Sequence, residues 1–397
     1  MKITKVDIFQ VNIPENPIWK PVLCRVYTDE GIYGDGEAAM AYGVGSTGAY
    51  GMVQDLANLV IGMDPLENEV IWQKIYRNTF WGQNAGGVFT AGMSAIDMAL
   101  WDIKGKYFNV PVYKLLGGKF RDNLRTYASQ LQFGWQNEIK AMWTIDQYVW
   151  AAKEAVAQGY DCIKVDFLWF KPEGGVYCDD ERTNLLDGKT LATVVDRVRA
   201  VREAVGSNVD IIIENHSFTD AQSAVQIARA LEPFNIYYFE EPNTPDVHTA
   251  KYISAKVNIP IANGERIFTR WQFVKFFQEN AIQIAQPDIG TCGGITEVKK
   301  ICDMAYTYDV SIQIHACGSP LSTAAALHLE AAIPNFIIHE HHIVNLTPFN
   351  IKLCKYNYQP VNGKFKIPEL PGLSNELSDF VLNECKKVTI ERNNSAW

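Results

Sequence analysis

Along the second half of the chain, apolar runs break off abruptly into groups that bind cations or move protons. Asp210-Ile211-Ile212-Ile213 ends in Glu214-Asn215-His216, and the design returns in Tyr238-Phe239-Glu240-Glu241-Pro242 and Ile261-Ala262-Asn263-Gly264-Glu265. Ile284-Ala285-Gln286-Pro287-Asp288, Ile312-Gln313-Ile314-His315 and Ile337-Ile338-His339-Glu340 continue it. The steps from Glu214 to Glu240, Glu265, Asp288, His315 and Glu340 are each about 25 residues, the length of one strand, one helix and their connections. Each run predicts a short buried strand, and the sequence between runs predicts a helix.

Two earlier runs extend the series, Arg125-Thr126-Tyr127-Ala128-Ser129-Gln130 and Asp161-Cys162-Ile163-Lys164-Val165-Asp166. A helix over 144–158 opens with Thr144-Ile145-Asp146-Gln147, a capping-box pattern. Thr219-Asp220-Ala221-Gln222 and Thr269-Arg270-Trp271-Gln272 repeat that start signal. Seven of the eight strands between 125 and 342 precede a helix, and the eighth leads instead to Pro348. Strict alternation with right-handed connections predicts an α/β fold, a (β/α)7β TIM-like barrel. A doubly wound sheet would bring a Gly-x-Gly-x-x-Gly turn, and Gly290-Thr291-Cys292-Gly293-Gly294 lacks that spacing.

Ahead of the barrel, Val6, Ile8 and Val11 and then 22–27 read as strands around a proline-rich stretch, 13–21. Residues 38–51 form a glycine- and alanine-rich loop carrying Met40, Tyr42 and Tyr50, which suits a lid or a plain surface loop. From 50 to 106 the period is helical, with Met93, Ile96, Ala99, Leu100 and Ile103 on one face. These elements predict an α+β N-terminal capping domain over 1–120, closed by Leu115-Leu116-Gly117-Gly118. The barrel takes 121–345, and 346–397 folds back to complete the cap.

The length of 397 residues fits two domains sharing a large core. A formal charge of −9 with dispersed Lys and Arg argues against nucleic acid or an anionic membrane as partner. Neither a membrane-spanning run nor a signal-peptide h-region is present in the sequence. The eight cysteines contain no Cys-x-x-Cys pair and read as reduced thiols of a cytoplasmic protein, Cys162 and Cys317 among them as core residues.

In a barrel of this kind the strand C-termini converge on one mouth. Side chains two apart share a face, which pairs Glu214 with His216, Lys164 with Asp166 and Gln286 with Asp288. Three carboxylates on consecutive strand ends, Glu214, Glu240 and Glu265, suit a hard divalent cation, Mg²⁺ rather than Zn²⁺. Taken singly, each glutamate is as readily a helix cap or an ion-pair partner. Asp288 beside His315 makes a candidate general base. His216 either joins the cation or donates a proton, and three carboxylates already neutralising the ion favour the donor. His339, His341 and His342 cannot all reach one ion, because odd and even strand positions diverge.

These residues resemble the enolase superfamily, and the Asp288/His315 pair its mandelate racemase subgroup. Phe-Glu-Glu-Pro, Asn-Gly-Glu, Gln-Pro-Asp followed by Gly-Gly-Ile-Thr, Ala-Leu-His-Leu (326–329) and the early Ala-Leu-Trp-Asp-Ile-Lys-Gly-Lys (99–106) carry the likeness. The Glu214-x-His216 unit is similar to galactonate and mannonate dehydratase-like proteins, among them proteins of the starvation-sensing type. The resemblance implies Mg²⁺ on Glu214, Glu240 and Glu265, with the carboxylate of a sugar acid bound there. It implies His315 as the base for the α-proton, oriented by Asp288, and His216 as the donor to the departing 3-hydroxyl. Glu340, Gln286 and Ser129 fall among the substrate-binding positions, and Lys164, Asp166 and Tyr177 on and beyond the second strand among the catalytic ones. A symmetric homo-oligomer is also implied. Glu214 stands where relatives usually carry Asp, and Lys164-x-Asp166 where many carry Lys-x-Lys. The alternatives are a hydroxy-acid epimerase using Lys164 and His315, and a sensing protein that keeps the metal site without turnover.

Overall fold

The structure is a computed structural model that describes residues 1–391. Strands β1 (Ile3–Gln10), β2 (Val22–Thr28) and β3 (Tyr33–Ala38) form an antiparallel meander, and Lys386–Glu391 adds a fourth strand beside β1. The tail is therefore part of the cap. Helices α1 (Ser46–Val60) and α3 (Gly87–Tyr107) pack on this sheet, and α2 (Asn68–Asn78) packs against both of them. The glycine-rich loop is shorter than expected, because the helix already starts at Ser46 and carries Tyr50 inward. Helix α3 is buried almost all round, since it lies between the cap sheet and the barrel helix Gly294–Thr307. Its close approach to β3 needs glycine: a Cβ on Gly34 or Gly36 would meet the Ala99 or Ala95 carbonyl oxygen at 2.0 or 1.8 Å.

The barrel strands are β4 (Asn123–Ser129), β5 (Cys162–Val165), β6 (Asp210–Glu214), β7 (Ile236–Glu240), β8 (Ile261–Asn263), β9 (Ile284–Ala285), β10 (Ser311–Ile312) and β11 (His339–His342). All pair in parallel in chain order, and β11 pairs with β4. Hydrogen bonds from Ile312 to Asn335 and from Ile337 to Ile312 close the ring between β10 and β11. Thr144 and Gln147 form the expected capping box. The other two start signals fall differently: Asp220 rather than Thr219 caps its helix, and Phe268 precedes a helix whose first residue, Thr269, is left-handed at φ 61°. Thr219 instead donates to the Pro242 carbonyl at 2.6 Å, tying two strand ends together.

The period of two builds the barrel interior in layers. Tyr127, Cys162, Ile212, Tyr238, Ala262, Ile284 and Ile338 form an apolar plug. Two residues further along the same strands come Ser129, Lys164, Glu214, Glu240, Gly264, Gln286 and Glu340, a polar layer stacked on that plug. Past the strand ends come Asp166, His216, Arg266 and Asp288, and His342 ends β11, where the mouth opens. Alternate residues, such as Ile163, Ile211, Ile213, Phe239 and Ile261, face outward into the main core under the helices.

Gly264 occupies a slot in the polar layer that no side chain fits, since a Cβ there would lie 2.3 Å from the Gln286 backbone carbon. We expect Gly264→Ala to lower stability by about 1–3 kcal/mol through overpacking. Gly188→Ala, where nothing lies within 4 Å, serves as control. Equal denaturation midpoints for the two variants would contradict this packing.

Candidate active site

The mouth of the barrel and the cap loops enclose a cavity of about 840 Å³. Glu265, Arg266, Asp288, His315, His216, Gln130 and His342 line it from the barrel, and Trp19, Met40, Tyr42 and Val44 from the cap. The Ala39 amide donates to the Gly290 carbonyl at 2.9 Å, which fixes the cap loop over the strand ends.

Beneath the cavity, one oxygen from each of Glu214, Glu240 and Glu265 lies within 4.8 Å of the others. Glu214 and Glu240 are about 1 % exposed. Lys164 sits among the buried acids, with its ammonium 2.5 Å from Glu240, 2.9 Å from Glu340 and 3.2 Å from Glu214. Burial pushes the Glu240 carboxyl up to about 8, against the pull of Lys164 and with the Glu214 charge adding to it. Burial also raises Glu214, with His216 and Lys164 opposing. Glu265 is only partly buried, and His315 and Arg266 hold it well below the usual carboxylate range. The residues fit a hard divalent cation. All the donors are oxygens, and Glu214 Oε1 and Glu240 Oε2 are buried without a hydrogen-bond donor among the described residues.

Two histidines flank this cluster, each held at Nδ1 by its own aspartate. His315 Nδ1 lies 2.6 Å from Asp288 Oδ2, with its Nε2 3.0 Å from Glu265. His216 Nδ1 lies 2.9 Å from Asp166 Oδ2, with its Nε2 3.3 Å from Glu214. Burial alone would lower both imidazoles. The Glu214 charge and the Asp166 hydrogen bond instead raise His216 to about 9, and Glu265 and Asp288 raise His315 well above its ordinary value. Strand alternation is not what brings His216 to Glu214. The strand stops at Glu214, and His216 and Ser217 turn back in left-handed conformations, φ 48° and 59°.

Several expected site residues lie elsewhere. Tyr177 is outside the cavity wall: it is buried in the main core, with the Lys171 ammonium 5.7 Å from its ring centroid. Trp169, from the same connection, reaches the cavity instead. Ser129, Gln286 and Glu340 belong to the polar layer below the lining, because they precede the mouth by one inward step. Ser129 donates to Glu340 at 2.7 Å, the Ala316 amide donates to Glu340 at 3.0 Å, and Gln286 bonds Gln313. Lys164 is likewise buried as counter-ion to three glutamates, and Asp166 serves His216 rather than Lys164. Cys317, expected in the core, is only partly buried and lines the cavity.

Other site residues escaped the sequence reading. Gln130, left-handed at φ 74°, donates to Glu214 at 2.7 Å and lies 3.2 Å from His216 Nε2. Its carbonyl is held by Gln132, whose own carbonyl takes the Asp166 amide. Arg266 pairs with Glu265 and, at 2.6 Å, with the buried Glu241. Both sit at strand ends on the repeat already recognised, and that position was their only signal.

Comparison with known proteins agrees with this geometry. Residues 147–381 match the enolase C-terminal domain-like family, and 14–117 match the mandelate racemase / muconate lactonizing enzyme N-terminal domain. A D-galactonate dehydratase from Ralstonia nicotianae (strain ATCC BAA-1114 / GMI1000) is 30 % identical over 404 residues, covering 100 % of this chain and 97 % of that protein. A crystal structure of an enolase superfamily member from Salmonella Typhimurium is 50 % identical with TM-score 0.95, covering 98 % of this chain and 100 % of that one. The 3,6-anhydro-D-galactonate cycloisomerase from Zobellia galactanivorans is 27 % identical with TM-score 0.82, covering 97 % of this chain and 100 % of that one. With its barrel carboxylates, its aspartate-held histidines and both family domains in place, the chain belongs to the mandelate racemase subgroup of the enolase superfamily.

Proposed function

We propose that this hydro-lyase removes water from an aldonate such as galactonate, gluconate or mannonate in a Mg²⁺-dependent reaction that gives a 2-keto-3-deoxy acid. The observation that carries the reading is the placing of two aspartate-held histidines on either side of a three-glutamate cluster. Glu214, Glu240 and Glu265 would hold the metal. Bound there, it supplies positive charge that acidifies the proton α to the substrate carboxylate.

The chain's own groups then divide the work. His315, held at Nδ1 by Asp288 at 2.6 Å, would accept the α-proton at Nε2 as that C–H bond breaks. His216, held at Nδ1 by Asp166 at 2.9 Å, would pass a proton to the 3-hydroxyl as the C–O bond breaks and water leaves. The resulting enol tautomerises to the keto acid. Asp288 and Asp166 fix the tautomer and orientation of the two rings. Lys164 does not supply a second base for epimerisation: it is buried, and Glu214, Glu240 and Glu340 hold its ammonium charged well above the ordinary range.

Two outcomes test this reading. With Glu240 at about 8, its carboxyl carries a proton at neutral pH that metal ligation must expel. Mg²⁺ affinity should therefore weaken as the pH falls from about 8 towards roughly 6, with proton release seen by calorimetry. The Mg²⁺-induced rise in melting temperature should vanish in Glu240→Gln, and pH-independent binding would count against these ligands. In heavy water, His216→Asn should still exchange the α-proton while keto-acid release drops by roughly 10²–10⁴-fold, whereas His315→Asn should lose both. A fully active double variant, or wild-type exchange without any loss of water, would overturn the roles assigned to the two histidines.

A further inference from the structure

Three features of the cavity concern the part of the substrate that lies beyond the reacting carbons. The first is size. About 840 Å³ lies in the upper part of the roughly 300–1,000 Å³ that enclose drug-sized ligands, more than a lone six-carbon acid fills.

The second is the chemistry of the wall beside His216. Trp169 stands edge-on to the His216 ring at 4.9 Å, and Phe218 stands edge-on to Trp169 at 5.6 Å. Phe218 remains 37 % exposed and lines the same cavity. A chain of free hydroxyls would gain little against such faces. The apolar face of a sugar ring suits them, as rings stack on aromatic side chains. Outside these aromatics the lining turns polar, with Glu15, Asn16, Asn137 and Glu138 offering acceptors and amide donors for hydroxyl groups.

The third is charge. Among the described residues Arg266 is the sole arginine or lysine of the lining, and it is already paired with Glu241 and Glu265. Arg182 stacks on Phe218 at 4.1 Å, but it bonds Asp179 and is not part of the lining. A second carboxylate or a phosphate at the far end of the substrate would meet Glu15 and Glu138, the latter already paired with Lys140 at 2.5 Å, and no unpaired lysine or arginine lines the cavity among the described residues.

We propose, on the footing of the dehydratase reading, that the site takes a monocarboxylic sugar acid bearing a neutral glycosyl group, whose ring rests on Trp169 and Phe218. The acid end faces the glutamates, and the glycosyl hydroxyls face the polar rim. Free hexonates and diacids are the poorer ligands.

The test compares gluconate, gluconate carrying a galactosyl group on its fourth oxygen, and glucarate, with Mg²⁺ present. Affinities are read by calorimetry in the His315→Asn background, where turnover does not intrude. The glycosylated acid should bind roughly tenfold tighter than gluconate, and glucarate more weakly than either. Phe218→Ala, at a partly exposed position that tolerates truncation, should erase the preference, and Phe218→Tyr should restore it. Equal or tighter binding of gluconate or glucarate overturns the inference, as does an undiminished preference in Phe218→Ala. Keto-acid release by the wild-type protein is measured separately. Its absence with every acid would sink the dehydratase reading, while the affinity ratio would still decide the glycosyl subsite.

Discussion

Buried negative charge is the constraint around which the barrel mouth is arranged. Glu214, Glu240 and Glu340 lie directly on an apolar plug and share one ammonium, that of Lys164. Removing one partner from such a buried set costs about 3–5 kcal/mol, so none of these residues is free to vary alone. Glu265 does not share that lysine and draws on Arg266 and His315 instead. The burial that raises Glu214 and Glu240 is what a hard cation would relieve. Cation binding and charge balance in the fold are thus the same problem, met by the same side chains.

The backbone contributes where the strands stop. Gln130, His216, Ser217 and Glu241 all adopt left-handed conformations just beyond strand ends. Such non-glycine residues are sparsely populated and cost of order 1–3 kcal/mol each unless the surroundings hold them. In this barrel the surroundings do so. Ser217 bonds Glu241 and the Asn243 carbonyl, the Ser217 amide bonds the Glu241 carbonyl, and Gln130 is clamped between Glu214 and Gln132. The turns bring polar side chains back over the mouth at points where a continuing strand would carry them away.

The period of the strands was legible in the sequence because a buried parallel strand must be apolar, and the interruption of that pattern marks its end. The same rule located Glu214, Glu240, Glu265, Asp288 and His315, each the first ionisable group after an apolar run. It could not rank depth within the barrel. Ser129, Gln286 and Glu340 share their strands' inward face with the mouth residues but stand one layer lower, a difference set by how the strands stagger against one another. Tyr177 shows a second limit. The connection after the second strand is long, and side-chain type alone does not tell which of its aromatics points into the cavity; Trp169 does, while Tyr177 packs in the core. The Asp166–His216 pair shows a third, since it joins residues fifty positions apart through a turn whose left-handed residues are not glycines.

The two aspartate–histidine pairs also bear on what kind of chemistry the mouth supports. A racemase working through two bases needs a second proton acceptor opposite the first, free of its own counter-ions. Opposite His315 stands His216, whose protonated ring the Glu214 charge and the Asp166 hydrogen bond favour, and below it Lys164 lies within 3.2 Å of three glutamates. Both candidates for that second role are cations whose charge the buried acids stabilise. In the proposed roles, with His315 as acceptor and His216 as donor, the site withdraws a proton at one carbon and delivers another to an oxygen, which is the proton balance of water loss. Returning a proton to the opposite face of the same carbon would require His216 or Lys164 to lose a charge that the layer beneath depends on.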